Sequence, residues 1–170
     1  MSLFKLNIDI NSYLELEKIG IGSFSPLTGF MTEKDFYSVV NSMRLENGLL
    51  FPLPVILPIE KKDIDKVKYN EEIILVYNNI KVAELLPLSI FKPDIHGSRK
   101  SLFSTNDVQH PGYKLLNESG TFFIGGPIKF SKKIDNDYSK YEKYPNEVKN
   151  IIKLENMKSV AGFQTRNVPH

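Results

Sequence analysis

Cysteine is absent from the 170 residues of the chain. The chain therefore carries no disulfide framework and no thiolate metal site, which fits a reducing cytoplasm. Apolar runs are short as well, and none approaches the ~18 residues that a transmembrane helix requires. The first five residues lack the charged and apolar regions of a secretory signal peptide. These absences predict a cytoplasmic protein that does not span a membrane.

An excess of charge of one sign is also missing, because 22 lysines and arginines face 20 aspartates and glutamates. The net charge of +2 is too small to argue for a nucleic-acid partner. The lysines are scattered apart from one cluster at Lys129, Lys132 and Lys133, and the sequence suggests no surface cluster that combines aromatic residues with arginine. A hydrophobic content of 41% with 25% charged residues predicts a globular chain with a substantial core.

Two short helices are predicted near the start of the chain. Ser12 and Glu15 have the spacing of a capping box, and Thr32 followed by Asp35 predicts the cap of a second helix. The apolar face of this second helix is predicted to contain Phe36, Val39, Val40 and Met43.

Strands dominate the middle of the chain. Residues 71–76 and 80–86 predict a hairpin, with its turn at Asn78 and Asn79. Residues 49–59 are apolar but contain three prolines, which indicates an edge strand or an irregular extended segment. Residues 121–130 predict a strand with a bulge or tight bend at its two glycines. The chain is therefore expected to be mainly β with short helices.

A change in composition marks a boundary near residue 134. Residues 131–144 are polar, charged and rich in tyrosine and aspartate, which is typical of a linker. Pro145 is expected to start a helix with Glu147 in its first turn, and residues 159–163 are expected to form a short buried strand. These patterns divide the chain into a domain at 1–134, a linker at 135–144 and the start of a second domain at 145–170.

The last residues gather the side chains best suited to bind an anion. Arg166 offers a rigid donor fork that matches an oxyanion, and Gln164 and Asn167 add neutral donors beside Thr165. His170 can hold charge that develops on a phosphoryl oxygen. A strand followed by such a polar loop is where open α/β sheets bind their ligands, so we predict a ligand site here.

His110 is the second chemical candidate, and it precedes Pro111 and Gly112. Its ring has three possible partners, which are Asp107, a backbone carbonyl and an external phosphate. A local role in a turn is favoured over catalysis. Asp107 and His110 without a third ligand nearby give only weak support for a metal site, and no metal ligand is assigned.

Gln164-Thr165-Arg166-Asn167 followed by His170 closely resembles the Q-T-R-N-x-x-H-x-x-H nucleotide-binding motif of the ATP sulfurylase (sulfate adenylyltransferase) family. Other segments resemble the same family in the same order. Residues 22–31 are similar to its G-x-F-S-P-L-x-G-F-M segment, and residues 104–112 to its G-T-x-D-x-x-H-P-G motif, with Ser104 in place of the first glycine. Residues 43–48 and 145–149 extend the resemblance, so it covers most of the chain.

The resemblance implies a fold in two parts. Residues 1–134 would form a PUA-like β-barrel domain, and residues 145–170 the first helix and strand of a Rossmann-like α/β nucleotidyltransferase domain. Because the chain stops at the first histidine of the motif, the resemblance also implies that it is inactive alone. The expected partners are ATP and sulfate once the enzyme is completed, and a second chain or further copies in a homo-oligomer.

The resemblance further implies formation of adenylyl sulfate and pyrophosphate from ATP and sulfate. Gln164 and Arg166 would bind sulfate, Thr165 and Asn167 would order the loop and contact phosphate, and His170 would stabilise the phosphate charge. Magnesium would arrive with ATP in the complete enzyme, and this part alone would bind no cofactor. The alternative is a non-catalytic PUA-like module that binds RNA or a protein.

Overall fold

The computed structural model describes residues 3–165 of the chain. The strands are β1 (Lys5–Asn7), β2 (Gly29–Phe30), β3 (Pro58–Ile59), β4 (Ile73–Tyr77), β5 (Ile80–Leu85), β6 (Ser89–Phe91) and β7 (Phe122–Phe130). The α-helices are α1 (Ile10–Gly20), α2 (Glu33–Ser42), α3 (Lys61–Ile64), α4 (Ile95–Phe103), α5 (Pro111–Glu118) and α6 (Pro145–Leu154), and a 3-10 helix spans Ser139–Tyr141.

Strand β7 is the centre of a curled, mixed sheet. The hydrogen-bonded order is β1-β4-β5-β7-β2, and β3 and β6 also pair with β7. One edge of β7 is occupied by β5 and β6, and the other edge by β2 and β3. Only the β1–β4 pair among these ladders is parallel. The expected sheet with short helices around it is therefore observed.

The two glycines of β7 allow close packing, and the strand runs through them without interruption. A Cβ atom at Gly125 would lie 2.1 Å from the carbonyl oxygen of Met31. Gly126 has φ +153°, and a Cβ there would lie 2.0 Å from the carbonyl oxygen of Leu86. Side chains at these positions would separate β7 from both neighbours, so glycine is required where the central strand is most closely flanked.

The β4–β5 hairpin confirms its sequence prediction. Asn78 and Asn79 have φ values of 49° and 62°, which give the left-handed pair of residues that a two-residue hairpin turn needs. Ile73 lies opposite Leu85, and both are buried in the core. The irregular segment predicted for residues 49–59 is also confirmed, since only its last two residues form a strand.

Helix α1 starts earlier than the predicted capping box. Its N-cap is Asp9, whose carboxylate accepts a hydrogen bond from the backbone N–H of Ser12 at 2.8 Å. Ser12 itself lies inside the helix and is only 5% exposed. The prediction that Ser12 caps this helix is therefore wrong, because Asp9, an equally good N-cap residue, lies three residues earlier and starts the helix there.

Helix α2 follows its prediction except at its end. Thr32 caps it, and its hydroxyl accepts from the backbone N–H of Asp35 at 3.3 Å. Phe36, Val39 and Val40 are buried as expected. Met43, however, is 57% exposed and adopts the left-handed conformation that ends the helix, with φ 54°. The helical spacing of side chains stops where the helix ends. Met43, the fourth residue of the predicted apolar face, therefore points away from the core.

Two apolar clusters hold the fold together. The larger lies between α1 and the sheet. The smaller joins α2, β6, α4 and β7 through Phe36, Val40, Phe91, Ile95 and Phe123. Three of its phenylalanine rings lie with centroids 5.6–6.3 Å apart in tilted or edge-to-face arrangements. This smaller cluster anchors the helical hairpin that carries His110.

Candidate functional site

The terminal motif lies partly outside the described residues. Gln164 and Thr165 are described and are exposed, whereas Arg166, Asn167 and His170 lie beyond residue 165. The structure therefore places two of the five predicted ligand side chains on the surface, next to each other in the chain.

The segment before the motif differs from its prediction. Residues 159–163 form no strand, and all of them are exposed. Val160 is 59% exposed and Phe163 is 89% exposed. The predicted short buried strand is therefore wrong for this chain. A strand needs neighbouring backbone groups to complete its hydrogen bonds, and none of the seven strands of the sheet pairs with this segment.

Helix α6 begins at Pro145, as the sequence predicts. The Glu147 carboxylate accepts a hydrogen bond from the backbone N–H of Tyr144 at 2.6 Å, which closes the first turn. The apolar side of the helix is not covered, since Val148 is 40% exposed, Ile151 37% and Leu154 84%. A helix with this pattern normally packs its apolar side against another element. Val160 and Phe163, which lie between this helix and the motif in the sequence, are exposed apolar side chains as well.

His110 caps helix α5, and its ring has a structural role. Nδ1 accepts a hydrogen bond from the backbone N–H of Gly112 at 3.2 Å. The ring stacks on Phe103, with the centroids 4.9 Å apart. The favoured local role is therefore confirmed, although this partner is none of the three that the sequence offered. Asp107 accepts from the backbone N–H of Gln109 at 2.8 Å, so it stabilises the same turn.

The helical hairpin formed by α4 and α5 also contains an arginine that the sequence analysis did not identify as important. The Arg99 guanidinium lies over the Tyr113 ring at 5.1 Å. It donates to the carbonyl oxygens of His96 and Asn106, each at 3.0 Å, and lies 2.8 Å from the His96 ring nitrogen Nε2. An arginine beside an aromatic ring is thus present, contrary to expectation. Its donors bind the hairpin itself, so the cluster does not favour the RNA-binding alternative.

The contact between Arg99 and Tyr113 was missed because it joins two separate elements. Arg99 and Tyr113 lie on two different helices, neither of which the sequence analysis had predicted. The available signal was Asp94, a residue type that commonly caps helices. It caps α4 and accepts a hydrogen bond from the backbone N–H of Gly97 at 2.8 Å.

Other features of the described residues add no reactive centre. Within residues 3–165, no group of three or more histidine, aspartate or glutamate side chains is placed to hold a metal ion. A cleft of about 580 Å³ lies between the start of α1, α3 and the start of β7, but Asp9 on its wall already caps α1. No helix among the described residues is long and apolar enough to cross a membrane.

Comparison with known proteins defines the class of the chain. The chain belongs to the PUA-like domain family, whose match covers residues 1–133. A solved structure, the hexameric APS kinase from Thiobacillus denitrificans, has the same fold over 91% of this chain and 27% of its own length, with a TM-score of 0.68 and 20% identity.

The curated relatives are more specific. The chain is similar to the sulfate adenylyltransferase of Pyrococcus abyssi, with 32% identity over 166 residues, which are 98% of this chain and 43% of that protein. It is 36% identical to the sulfate adenylyltransferase of Persephonella marina over 163 residues, 92% of this chain and 42% of that protein. The resemblance inferred from the motifs is therefore confirmed. The chain spans less than half the length of the curated relatives it matches.

Proposed function

We propose that this chain is the first part of a sulfate adenylyltransferase. In this proposal residues 1–134 are the PUA-like domain, 135–144 the linker, and 145–170 the start of a Rossmann-like nucleotidyltransferase domain. One observation carries the proposal. The PUA-like match ends at residue 133, whereas the similarity to the Pyrococcus abyssi enzyme extends over 98% of the chain, through the linker and into the terminal region.

The proposed reaction is attack of a sulfate oxygen on the α-phosphorus of ATP, with pyrophosphate as the leaving group. This chemistry depends on positioning and on stabilisation of charge, and it needs no covalent intermediate. Arg166 and Gln164 would bind sulfate, Thr165 and Asn167 would order the loop and contact phosphate, and His170 would stabilise charge on the phosphate. Magnesium enters this proposal only as the partner of ATP.

The exposed apolar side chains near the end of the chain support the need for further chain. Val148, Ile151, Leu154, Val160 and Phe163 leave apolar area in water beside the motif, as expected for the edge of an unfinished core. The C-terminal part of the relatives, fused or supplied as a second chain, would cover it. Residues 159–163 would then pair as a strand, because neighbouring strands would satisfy their backbone groups.

A chimaera tests this proposal. The chain is continued after residue 170 by the C-terminal part of the Persephonella marina relative, and sulfate-dependent release of pyrophosphate from ATP is measured. We expect the completed chimaera to release pyrophosphate and the 170-residue chain alone to give only the buffer rate. A folded chimaera without activity would overturn the proposed function. Activity of the 170-residue chain alone would overturn the proposal that the C-terminal part of the relatives is required.

A further inference from the structure

A group of four polar side chains connects the PUA-like domain to the linker. Tyr13 and Glu17 lie one turn apart on α1, Lys133 follows β7, and Glu142 follows the 3-10 helix of the linker. Lys133 forms ion pairs with Glu17, at 3.8 Å, and with Glu142. Glu17 also accepts a hydrogen bond from the Tyr13 hydroxyl at 2.8 Å. We call these four residues the linker latch.

Burial distinguishes Lys133 from the other paired lysines. Its side chain is only 7% exposed, whereas the other ion-paired lysines of the described chain have side chains that are 42–79% exposed. Exposed pairs contribute little because water screens them. A buried ammonium group that loses a carboxylate partner is destabilised far more, since water does not replace the lost interaction. The Lys133 pairs are therefore the ones able to hold a segment in place.

The α1 side of the latch is fixed by the core. The Tyr13 ring stacks on Tyr77 with centroids 4.5 Å apart, and Tyr13 is only 4% exposed. The Tyr13 hydroxyl accepts from the backbone N–H of Ile134 at 2.8 Å. One tyrosine thus holds both Glu17 and the backbone next to Lys133 against the domain.

The linker side of the latch leads directly into α6. Glu142 lies three residues before Pro145, and the Tyr144 N–H is already bound by Glu147 of that helix. Little free chain separates the contact with Lys133 from the first turn of α6. The position of Glu142 therefore limits the directions that α6 can take.

We propose that the linker latch fixes the direction in which the chain leaves the PUA-like domain, and that it thereby positions α6 relative to that domain. Lys133 is the central residue, because it binds one carboxylate from the domain and one from the linker. Loss of Glu142 leaves Lys133 paired with Glu17, so the domain stays folded while the linker is released. The proposal concerns geometry alone and does not depend on the proposed reaction.

Distances between two spin labels test the latch on the 170-residue chain. The chain has no cysteine, so Asn41→Cys on α2 and Lys153→Cys on α6 provide unique labelling sites at exposed positions. The parent is expected to give one narrow distance distribution in a double electron–electron resonance measurement. Lys133→Met and Glu142→Ala are expected to broaden it and abolish its single maximum, with an unchanged circular dichroism spectrum.

Lys132→Met is the matched control, because the neighbouring Lys132 is exposed and belongs to none of the ion pairs of the described residues. It is expected to keep the narrow distribution. If Lys133→Met does not fold, Glu142→Ala decides the question on its own. The proposal is overturned by a broad distribution in the parent, by a parent-like distribution in folded Glu142→Ala, or by equal broadening in Lys132→Met.

Discussion

Tyr13 combines a core contact with a polar one, and its ionisation is affected by both. Its ring is buried against Tyr77, and its hydroxyl donates to the carboxylate of Glu17. Burial raises the pKa of the Tyr13 phenol from 10.0 to about 12, and the nearby Glu17 carboxylate contributes to the rise. Burial and a neighbouring anion both disfavour the phenolate, so they act in the same direction.

This shift predicts how stability depends on pH. The pKa is raised in the folded state, so the neutral phenol stabilises the fold fully below pH 10, and this contribution is lost as the pH rises towards 12. We expect the free energy of unfolding to fall over this window by roughly 2–3 kcal/mol more in the parent than in Tyr13→Phe. Urea unfolding at several pH values measures the difference.

Tyr69→Phe is the control for this titration, since Tyr69 is 57% exposed. It removes a phenol without removing the buried one, and it should keep the pH dependence of the parent. Equal slopes for the parent and Tyr13→Phe between pH 10 and 12 would contradict the assignment.

At the scale of elements, the sequence correctly predicted features that depend on interactions within a few residues. The asparagine turn of the β4–β5 hairpin and the Thr32 cap of α2 act within a few residues, and both were predicted. Helices α4 and α5 were missed. They are short, α4 contains Gly97, and their apolar residues complete a cluster whose other members lie far away in the chain.

In the candidate site too, features set by neighbouring residues were predicted better than features that depend on distant parts of the chain. The chemical character of the terminal motif follows from its residue types alone. The burial of residues 159–163 was wrongly predicted, because it depends on strands that the described chain does not contain. The structural role of His110 was expected, but its partner, the backbone N–H of Gly112, became clear only once α5 was known to start there.

The end of α4 offers a test at this scale. Ser104 has φ 55°, a left-handed conformation in which glycine is favoured, and the resembling family motif has glycine there. Ser104→Gly is expected to stabilise the domain by about 0.5–1 kcal/mol, because it removes the strain of a side chain at positive φ. Chemical unfolding monitored by circular dichroism measures this change.

Ser101→Gly is the matched control within the same helix. Ser101 is exposed and helical, so glycine there should destabilise by roughly 0.5 kcal/mol. The interpretation fails if both substitutions change stability in the same direction.

At the scale of the whole molecule, order is expected to be uneven along the chain. β7 has partners on both edges, whereas residues 159–163 are exposed and in no strand. Hydrogen exchange should therefore be slow in β7 and fast in 159–163 in the 170-residue chain. In the completed chimaera, protection should appear at 159–163 as the strand gains partners. Protection of 159–163 in the monomeric chain alone would contradict this account.

The two parts of the molecule are expected to have different roles. The PUA-like domain would supply structure, and the terminal motif would supply the chemistry. In the completed chimaera, His110→Ala should cost about 1 kcal/mol of stability and leave turnover nearly unchanged, because the ring caps a helix and stacks on Phe103. Loss of turnover in folded His110→Ala would show that the first domain takes part in the reaction.

The most direct test is sulfate-dependent pyrophosphate release by chimaeras that carry Arg166→Ala and Arg166→Lys. Losing a charge-assisted contact to a doubly charged anion costs roughly 2–5 kcal/mol. We therefore expect Arg166→Ala to lower the rate roughly 30- to 4000-fold if the whole loss falls on the transition state. Arg166→Lys should remain strongly impaired, because lysine keeps the charge but lacks the two-donor fork. Nearly full activity in Arg166→Lys would contradict the bidentate sulfate role, and nearly full activity in Arg166→Ala would contradict the proposed site altogether.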